Sequence, residues 1–281
     1  MKHLKLALIL SMAFLMPALM NQAQAQKKIT LKYKLHQGET FMSTSNINQD
    51  IEMHVQGRVM TLNQIITNVL STKITAVKPN SIQTTNSIDA MTMKQTVNGQ
   101  EFYYDSSDPT TYASGRGKQV GDALNKIIHK TYGITIDDLG NIINFDLKNL
   151  MGENNKISSN ISSGNNFIIF PDHKIKTGDS WEANIKPMKG SNMKIHMKYT
   201  LKKIAGKKAT LDLEGTITGN DDNAAQMNIS GTQNGEAIVD IRNGWTLETN
   251  LDQEVKMEVT QNGMTIPMNV SSTILKKSKM K

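Results

Sequence analysis

From Ile29 onward, apolar and polar positions alternate with a period of two, the pattern of β-strands that bury one face. Ile29, Leu31, Tyr33 and Leu35 oppose Lys28, Lys32 and Lys34, and Gln37-Gly38-Glu39 then turns the chain into Phe41. Ile51, Met53 and Val55 alternate with Glu52, His54 and Gln56, with Gly57 as the turn. Residues 64–76 mix Thr, Ile and Val, a composition that favours strand over helix. Asn98-Gly99 sits between two such runs and tolerates the positive φ angles of a tight hairpin. The clearest alternation is C-terminal, where Asn243-Gly244 leads into Trp245, Leu247, Thr249, Leu251, Gln253, Val255, Met257 and Val259 on one face. Asn262-Gly263 then turns the chain into Met264, Ile266, Met268 and Val270. A strand over residues 245–260 would run about 50 Å at ~3.3 Å per residue, long enough to require curvature or a bulge. The expected fold is therefore mainly β (α+β), a long, curved antiparallel sheet or partial barrel.

One stretch departs from this period. In residues 119–130 (QVGDALNKIIHK), Val120, Ala123, Leu124, Ile127 and Ile128 recur at helical spacing, while Asp122, Asn125, Lys126 and Lys130 take the other side. This predicts one amphipathic helix packed on the sheet, stopped by Tyr132 and Gly133, with His129 beside its C-terminus. Val120, Leu124, Ile127 and Ile128 are its candidate apolar-ligand or core face. Ile134 to Ile136 and Ile142 to Phe145 flank Asp137-Asp138-Leu139-Gly140-Asn141 as a short hairpin. Residues 148–166 are rich in Asn, Ser and Gly without periodicity and read as a linker between an N-terminal half, 26–147, and a C-terminal half, 167–281.

The second half echoes the first. Ile175-Lys176-Thr177-Gly178-Asp179-Ser180-Trp181 repeats the order of Leu35-His36-Gln37-Gly38-Glu39-Thr40-Phe41, and LSTKITAVKPNSIQ from Leu70 resembles YTLKKIAGKKATL from Tyr199. Either an internal duplication or the reuse of one hairpin chemistry accounts for this.

Residues 1–25 read as a secretory leader. Lys2 and Lys5 precede an apolar run from Leu6 to Leu15, and Ala23-Gln24-Ala25 forms a small-x-small cleavage site, so the mature chain is expected to begin at Gln26. The expected location is periplasmic or extracellular, with no transmembrane segment in the mature chain. There is no cysteine, which removes disulfides and thiolate chemistry, so the exported chain must rely on its own core. Subtracting Lys2 and Lys5 leaves 30 basic residues against 25 acidic ones, a net +5. Lys276, Lys277, Lys279 and Lys281 form one basic group, and Lys202, Lys203, Lys207 and Lys208 another. No aromatic residues interleave them as base-stacking platforms, so they read as a solvated tail and a charged turn, and no nucleic acid is expected.

Candidate chemistry is sparse. His36, His54, His129, His173 and His196 show no metal-binding spacing. Ser180 follows a tight turn but lacks the closing glycine of a nucleophile elbow. Asp137-Asp138 and Asp221-Asp222 lack the alternating ligands of a calcium loop. No catalytic, cofactor-binding or metal residue is assigned, and a non-enzymatic protein is expected.

The L-K-Y-K-L-x-x-G-E-x-F strand from Leu31 to Phe41, the F-P-x-x-x-I-x-x-G-D-S-W segment from Phe170 to Trp181, and the N-G-W-T-L strand from Asn243 together resemble a secreted and lipoprotein family of the Bacteroidetes, domain of unknown function 6263. The resemblance implies a periplasmic or surface location and no established activity. Many members carry a lipid-bearing cysteine after the leader, which this chain lacks.

Two function classes follow. One is a binding module of the lipoprotein-carrier type, holding an apolar ligand between sheet and helix. Of 18 methionines, 14 remain once Met1, Met12, Met16 and Met20 are removed, and flexible thioethers suit either a ligand cavity or an ordinary core. The other is a structural or protein-interaction module of the cell envelope.

Overall fold

The computed structural model describes residues 28–147, 167–185, 192–221, 226–261 and 263–281. The predicted leader and linker lie outside them. Twelve strands form one sheet: β1 (Thr40–Val55), β2 (Arg58–Lys78), β3 (Ser81–Val97), β4 (Gln100–Asp105), β5 (Thr131–Ile136), β6 (Ile142–Asp146), β7 (Ser180–Ile185), β8 (Lys194–Ala205), β9 (Lys208–Asp221), β10 (Gln226–Asp240), β11 (Thr246–Gln261) and β12 (Met264–Met280). Their order is β6-β5-β3-β2-β1-β12-β11-β10-β9-β8-β7, with β4 on the free end of β3, and every pairing is antiparallel. The first and last strands meet in mid-sheet, from Phe41 opposite Met280 to Met53 opposite Met268. Since β6 and β7 lie at opposite edges, the sheet is open and not a barrel.

Local chemistry sets the hairpins. Gln56-Gly57 and Asn98-Gly99 have φ of 51° and 75°, and 48° and 80°, the doubly positive turn whose twist matches paired strands. The sequence echo adopts one hydrogen-bond pattern twice. Gly38 and Gly178, at φ 95° and 93°, donate their N–H groups to the carbonyls of Ile74 and Leu201, whose own N–H groups return to Glu39 and Asp179. The Glu39 and Asp179 carboxylates each accept the N–H three residues earlier, from His36 and Lys176. In each half the strand pair that follows is displaced by a bulge at the same place, after Ile74 and after Leu201.

One alternating stretch read as a strand is not a strand of the sheet. Ile29, Leu31, Tyr33 and Leu35 are buried as predicted, but their segment makes only an isolated bridge, Ile29 to Ile175. It crosses one end of the sheet beside residues 167–170, where Tyr33 N–H bonds Asp138 and Lys34 N–H bonds Asn243. The Tyr33 hydroxyl donates to the carbonyl of Ile168 and accepts from its N–H, at 3.2 and 2.8 Å. Phe170 N–H reaches Leu139 in the β5–β6 turn, while the Trp181 indole on β7 donates to Ile169. One short segment thus touches both edges of the sheet, which must curl to bring them together at this end. Tyr33, Phe41, Phe167, Phe170 and Trp245 fill the closed end as an aromatic plug, with Phe41 and Trp245 stacked at 3.8 Å. Tyr33, Phe41, Phe170 and Trp245 are aromatic positions of the motifs that carried the family resemblance.

The helix α1 spans Gly115–Leu124, earlier than residues 119–130. Its packed side is Gly117, Val120, Gly121 and Leu124, and Gly121 lies so close to the Tyr112 ring that a Cβ there would sit 2.7 Å from it. Ile127 and Ile128 continue the helical spacing after the helix has ended, because the chain has joined the sheet: Ile128 bridges Ile88, and His129 N–H bonds the Ile88 carbonyl. His129, at φ 59°, is therefore not beside a helix terminus, and Tyr132 and Gly133 belong to β5 instead of a cap. The helix packs on Phe102 of β4 and on Tyr112 of the preceding 3-10 turn, while along β3 between β4 and β5 the backbone of Ile88 and Met91 is met by His129 and Ser106.

Candidate ligand-binding face

Because strands alternate, every strand contributes to the face that meets the aromatic plug, here termed the inner face. Phe41, Ser43, Ser45, Ile47, Gln49, Ile51 and Met53 carry it along β1, and the pairing register extends each position sideways into a row. The opposite face is polar, with cross-strand pairs such as Lys198–Glu214 and Asp252–Thr273.

A polar belt divides the inner face. Gln95, Gln64, Gln49, Ser272, Gln253 and Gln233 stand directly opposite one another across six strands. Gln95 donates to Gln64, Gln64 to Gln49, and Gln49 to Ser272 at 3.0 Å, while Gln253 donates to Gln233 at 3.2 Å. Gln233 reaches on over Gly215 to the Met197 sulfur, a path that any Cβ at Gly215 would obstruct. Amide side chains on a half-buried surface need partners, and the belt supplies them in one direction across the sheet.

Beyond the belt, away from the plug, the rows are apolar. Leu62, Ile51, Val270, Val255 and, past Gly231, Ile217 form the first, and a second hydrophobic cluster centres on Ile217, Val255 and Val270. Met60, Met53, Met268 and Met257 form the next, side by side on β2, β1, β12 and β11, with Ile229 following on β10. All four methionines are half-buried. Glycines at inner positions of β9 and β10 let neighbouring groups approach the backbone closely; a Cβ on Gly235 would collide with the Asn250 carbonyl of the next strand.

Between belt and plug lies a second polar group. Asn68, Ser45, Lys276 and Thr249 are consecutive in register on β2, β1, β12 and β11. Burial pushes the Lys276 ammonium down to about 7, although the residue keeps some exposure. The buried Asn68 Oδ1 has no hydrogen-bond partner among the described residues. The half-buried Ile47, Ile66, Leu251 and Ile274 stand next to this row on the belt side. Lys276, Lys277 and Lys279 belong to the central strand β12 and not to a tail, while Lys277, Lys279 and Lys281 are exposed as predicted. The second basic group does lie at the β8–β9 turn, with Lys202 paired to Asp212 and Glu236.

The predicted face residues join the main core: Ile127 and Ile128 are buried in it, and Val120 and Leu124 are half-buried against it. The histidines are scattered, with His36 on Glu39, His54 on Glu52, His173 on Asp172 and His196 near Glu182. Among the described residues, no three His, Cys, Asp or Glu side chains come together. Ser180 bonds Thr200. Asp137 accepts the N–H groups of Leu139 and Asn141 as a turn residue, and Asp138 pairs with Lys32 at 2.7 Å. Burial raises the phenols of Tyr104, Tyr132 and Tyr199 to about 12, and the Tyr104 hydroxyl donates to Asn125 at 2.7 Å. The inner rows were partly legible, since residues 249–259 alternate as predicted. The glutamine belt was not, because each glutamine is isolated in sequence and only the register aligns them.

Residues 146–246 match the model of a family of unknown function, DUF6263. No curated protein matches the chain. Among solved structures, lipovitellin, from a study of its lipid–protein interactions, is similar at 8% identity with a TM-score of 0.49 over 87% of this chain, which spans 26% of the lipovitellin chain. An outer membrane channel from Pseudomonas putida F1 is similar at 7% identity with a TM-score of 0.25, over 88% of this chain and 97% of that one.

Proposed function

We propose that this is an exported, non-enzymatic protein of the cell envelope that holds an apolar ligand on the inner face of its curled sheet. The observation that carries the reading is the row of Met60, Met53, Met268 and Met257 with the aliphatic row beside it. These side chains face inward in register and stay half-buried, short of the burial of the main core. A core row would be sealed by a second layer, whereas half-buried thioethers offer a deformable apolar surface of the kind that accepts varied ligands. The ligand would lie along the sheet, not beneath α1, whose stripe is already occupied by Tyr112 and β4. The leader-like residues 1–25 support export.

The test is native mass spectrometry of protein recovered from an exporting host, together with uptake of a fluorescent fatty acid. Co-purified apolar mass or saturable uptake is expected. Apo protein that takes up nothing would favour the alternative, an interaction module of the envelope. That alternative draws on β6 and β7, whose outer edges are unpaired among the described residues and open to strand addition.

A further inference from the structure

The row of Met60, Met53, Met268 and Met257 sets four half-buried thioethers on four adjacent strands. Directly opposed strand positions hold their Cβ atoms about 5 Å apart, so the four side chains form one continuous strip. Met91, Met93 and Met197 differ, being buried in the main core. The chain has no cysteine, which leaves thioethers as its oxidisable sulfur. A thioether within reach of solvent takes an oxygen atom from a peroxide or a hypohalous acid. A sulfur lone pair forms the new S–O bond as the O–O or O–halogen bond breaks; sulfur loses two electrons, and the reduced oxidant leaves as water, or as halide with release of a proton.

The sulfoxide is polar, and its oxygen requires a hydrogen-bond donor wherever apolar matter covers it. The adjoining rows are poor in donors. Leu62, Ile51, Val270 and Val255 lie on the belt side, and Val55, Ile266 and Val259 on the other, where the exposed Arg58 is the one donor side chain among the described residues of these rows. Four adjacent sulfoxides therefore draw water onto the strip, and a hydrated strip no longer holds an apolar chain.

We infer that this row is a site of reversible oxidation by peroxides or hypohalous acids, and that its conversion to sulfoxides empties the ligand face. The inference rests on the apolar-ligand reading and adds the chemistry that releases the ligand. Bound ligand in turn shields the row. Met42, also half-buried but on the opposite face of β1, is an internal reference that no ligand on the inner face shields.

The test treats the full mature chain with hydrogen peroxide, with and without a bound fluorescent fatty acid, and maps sulfoxides by peptide mass spectrometry. Without ligand, the row is expected to oxidise at least about ten-fold faster than Met91, Met93 and Met197. With ligand, oxidation of the row should slow at least about five-fold, while that of Met42 stays within about two-fold. Oxidised wild type should bind the fatty acid at least about ten-fold more weakly and recover on treatment with methionine sulfoxide reductases. The combined variant Met53→Leu, Met60→Leu, Met257→Leu and Met268→Leu conserves volume and should keep its affinity within about two-fold after peroxide. A row that reacts no faster than the core methionines, a row left unshielded by bound ligand, undiminished binding after its oxidation, or equal loss in the combined variant overturns the inference, while uptake by untreated wild type upholds the apolar-ligand reading. The wild-type measurements decide the matter if the variant does not fold. No uptake by untreated wild type overturns both.

Discussion

A lysine deprived of water holds its proton less tightly in the folded chain than in the unfolded one, and for Lys276 the gap runs from about 7 to the ordinary 10.5. Between these values the unfolded state binds more protons, so the stability associated with this residue rises with pH across that window and is lowest below pH 7. Lys276→Met should therefore stabilise the ligand-free protein by roughly 1–3 kcal/mol at pH 6, with the gain shrinking toward pH 10, as read by urea denaturation at the two pH values. A gain independent of pH would mean that the lysine is well solvated. The belt makes a second prediction at this scale. Gln64 both accepts from Gln95 and donates to Gln49, so Gln64→Leu strands two amides and should cost about 1–3 kcal/mol by the same assay. Substitution of Asn63 on the other face, which bonds only the exposed Asp50, should cost far less.

Among the elements, α1 shows how periodicity and hydrogen bonding can disagree. The apolar spacing through Ile127 and Ile128 is helical, yet the backbone has left the helix at Leu124 because Ile88 on β3 offers it a bridge. The N-terminal turns were hidden because Gly115, Gly117 and Gly121 are poor helix formers; Gly117 and Gly121 are tolerated here since Phe102 and Tyr112 occupy the room that side chains would need, and Gly115 takes a positive φ of 60°. Ile127 is buried either way. Ile127→Asp is expected to destabilise by about 3 kcal/mol or more, whereas the exposed Lys126→Asp should stay within about 0.5 kcal/mol, and equal melting temperatures would contradict this burial. The close approach of β11 to Gly235 on β10 makes a further claim. Gly235→Ala, although a minimal change, should cost about 1–3 kcal/mol, because the new methyl group meets the backbone of β11.

For the whole molecule, the decisive contact is β1 on β12. It joins the beginning of the described chain to its end in mid-sheet, so the two halves share a ladder instead of meeting at a separable interface. Urea unfolding followed by far-UV circular dichroism and by tryptophan fluorescence, from Trp181 and Trp245, should therefore give coincident transitions; two separated transitions would show that the halves fold independently. The curl, plugged at one end by aromatic side chains, turns an otherwise flat amphipathic surface into a trough. Export belongs to this scale as well: N-terminal sequencing of the secreted protein should begin at Gln26, and retention of residues 1–25 would contradict the leader reading.

By itself the sequence determined what depends on near neighbours: the strand period, the Asn-Gly and Gln-Gly turns, the twin Gly-acid motifs, and the inward set of residues 249–259. Those follow from steric rules and two-residue alternation, which act within a few positions along the chain. Only the tertiary structure decided which strands lie side by side. That choice aligned six polar side chains into a belt and four methionines into a row, carried the alternating segment at Ile29 off the sheet to become part of its plug, and placed Lys276 indoors. Register is a long-range property: it sums many weak cross-strand preferences, and a shift of one residue would turn every one of these side chains to the other face.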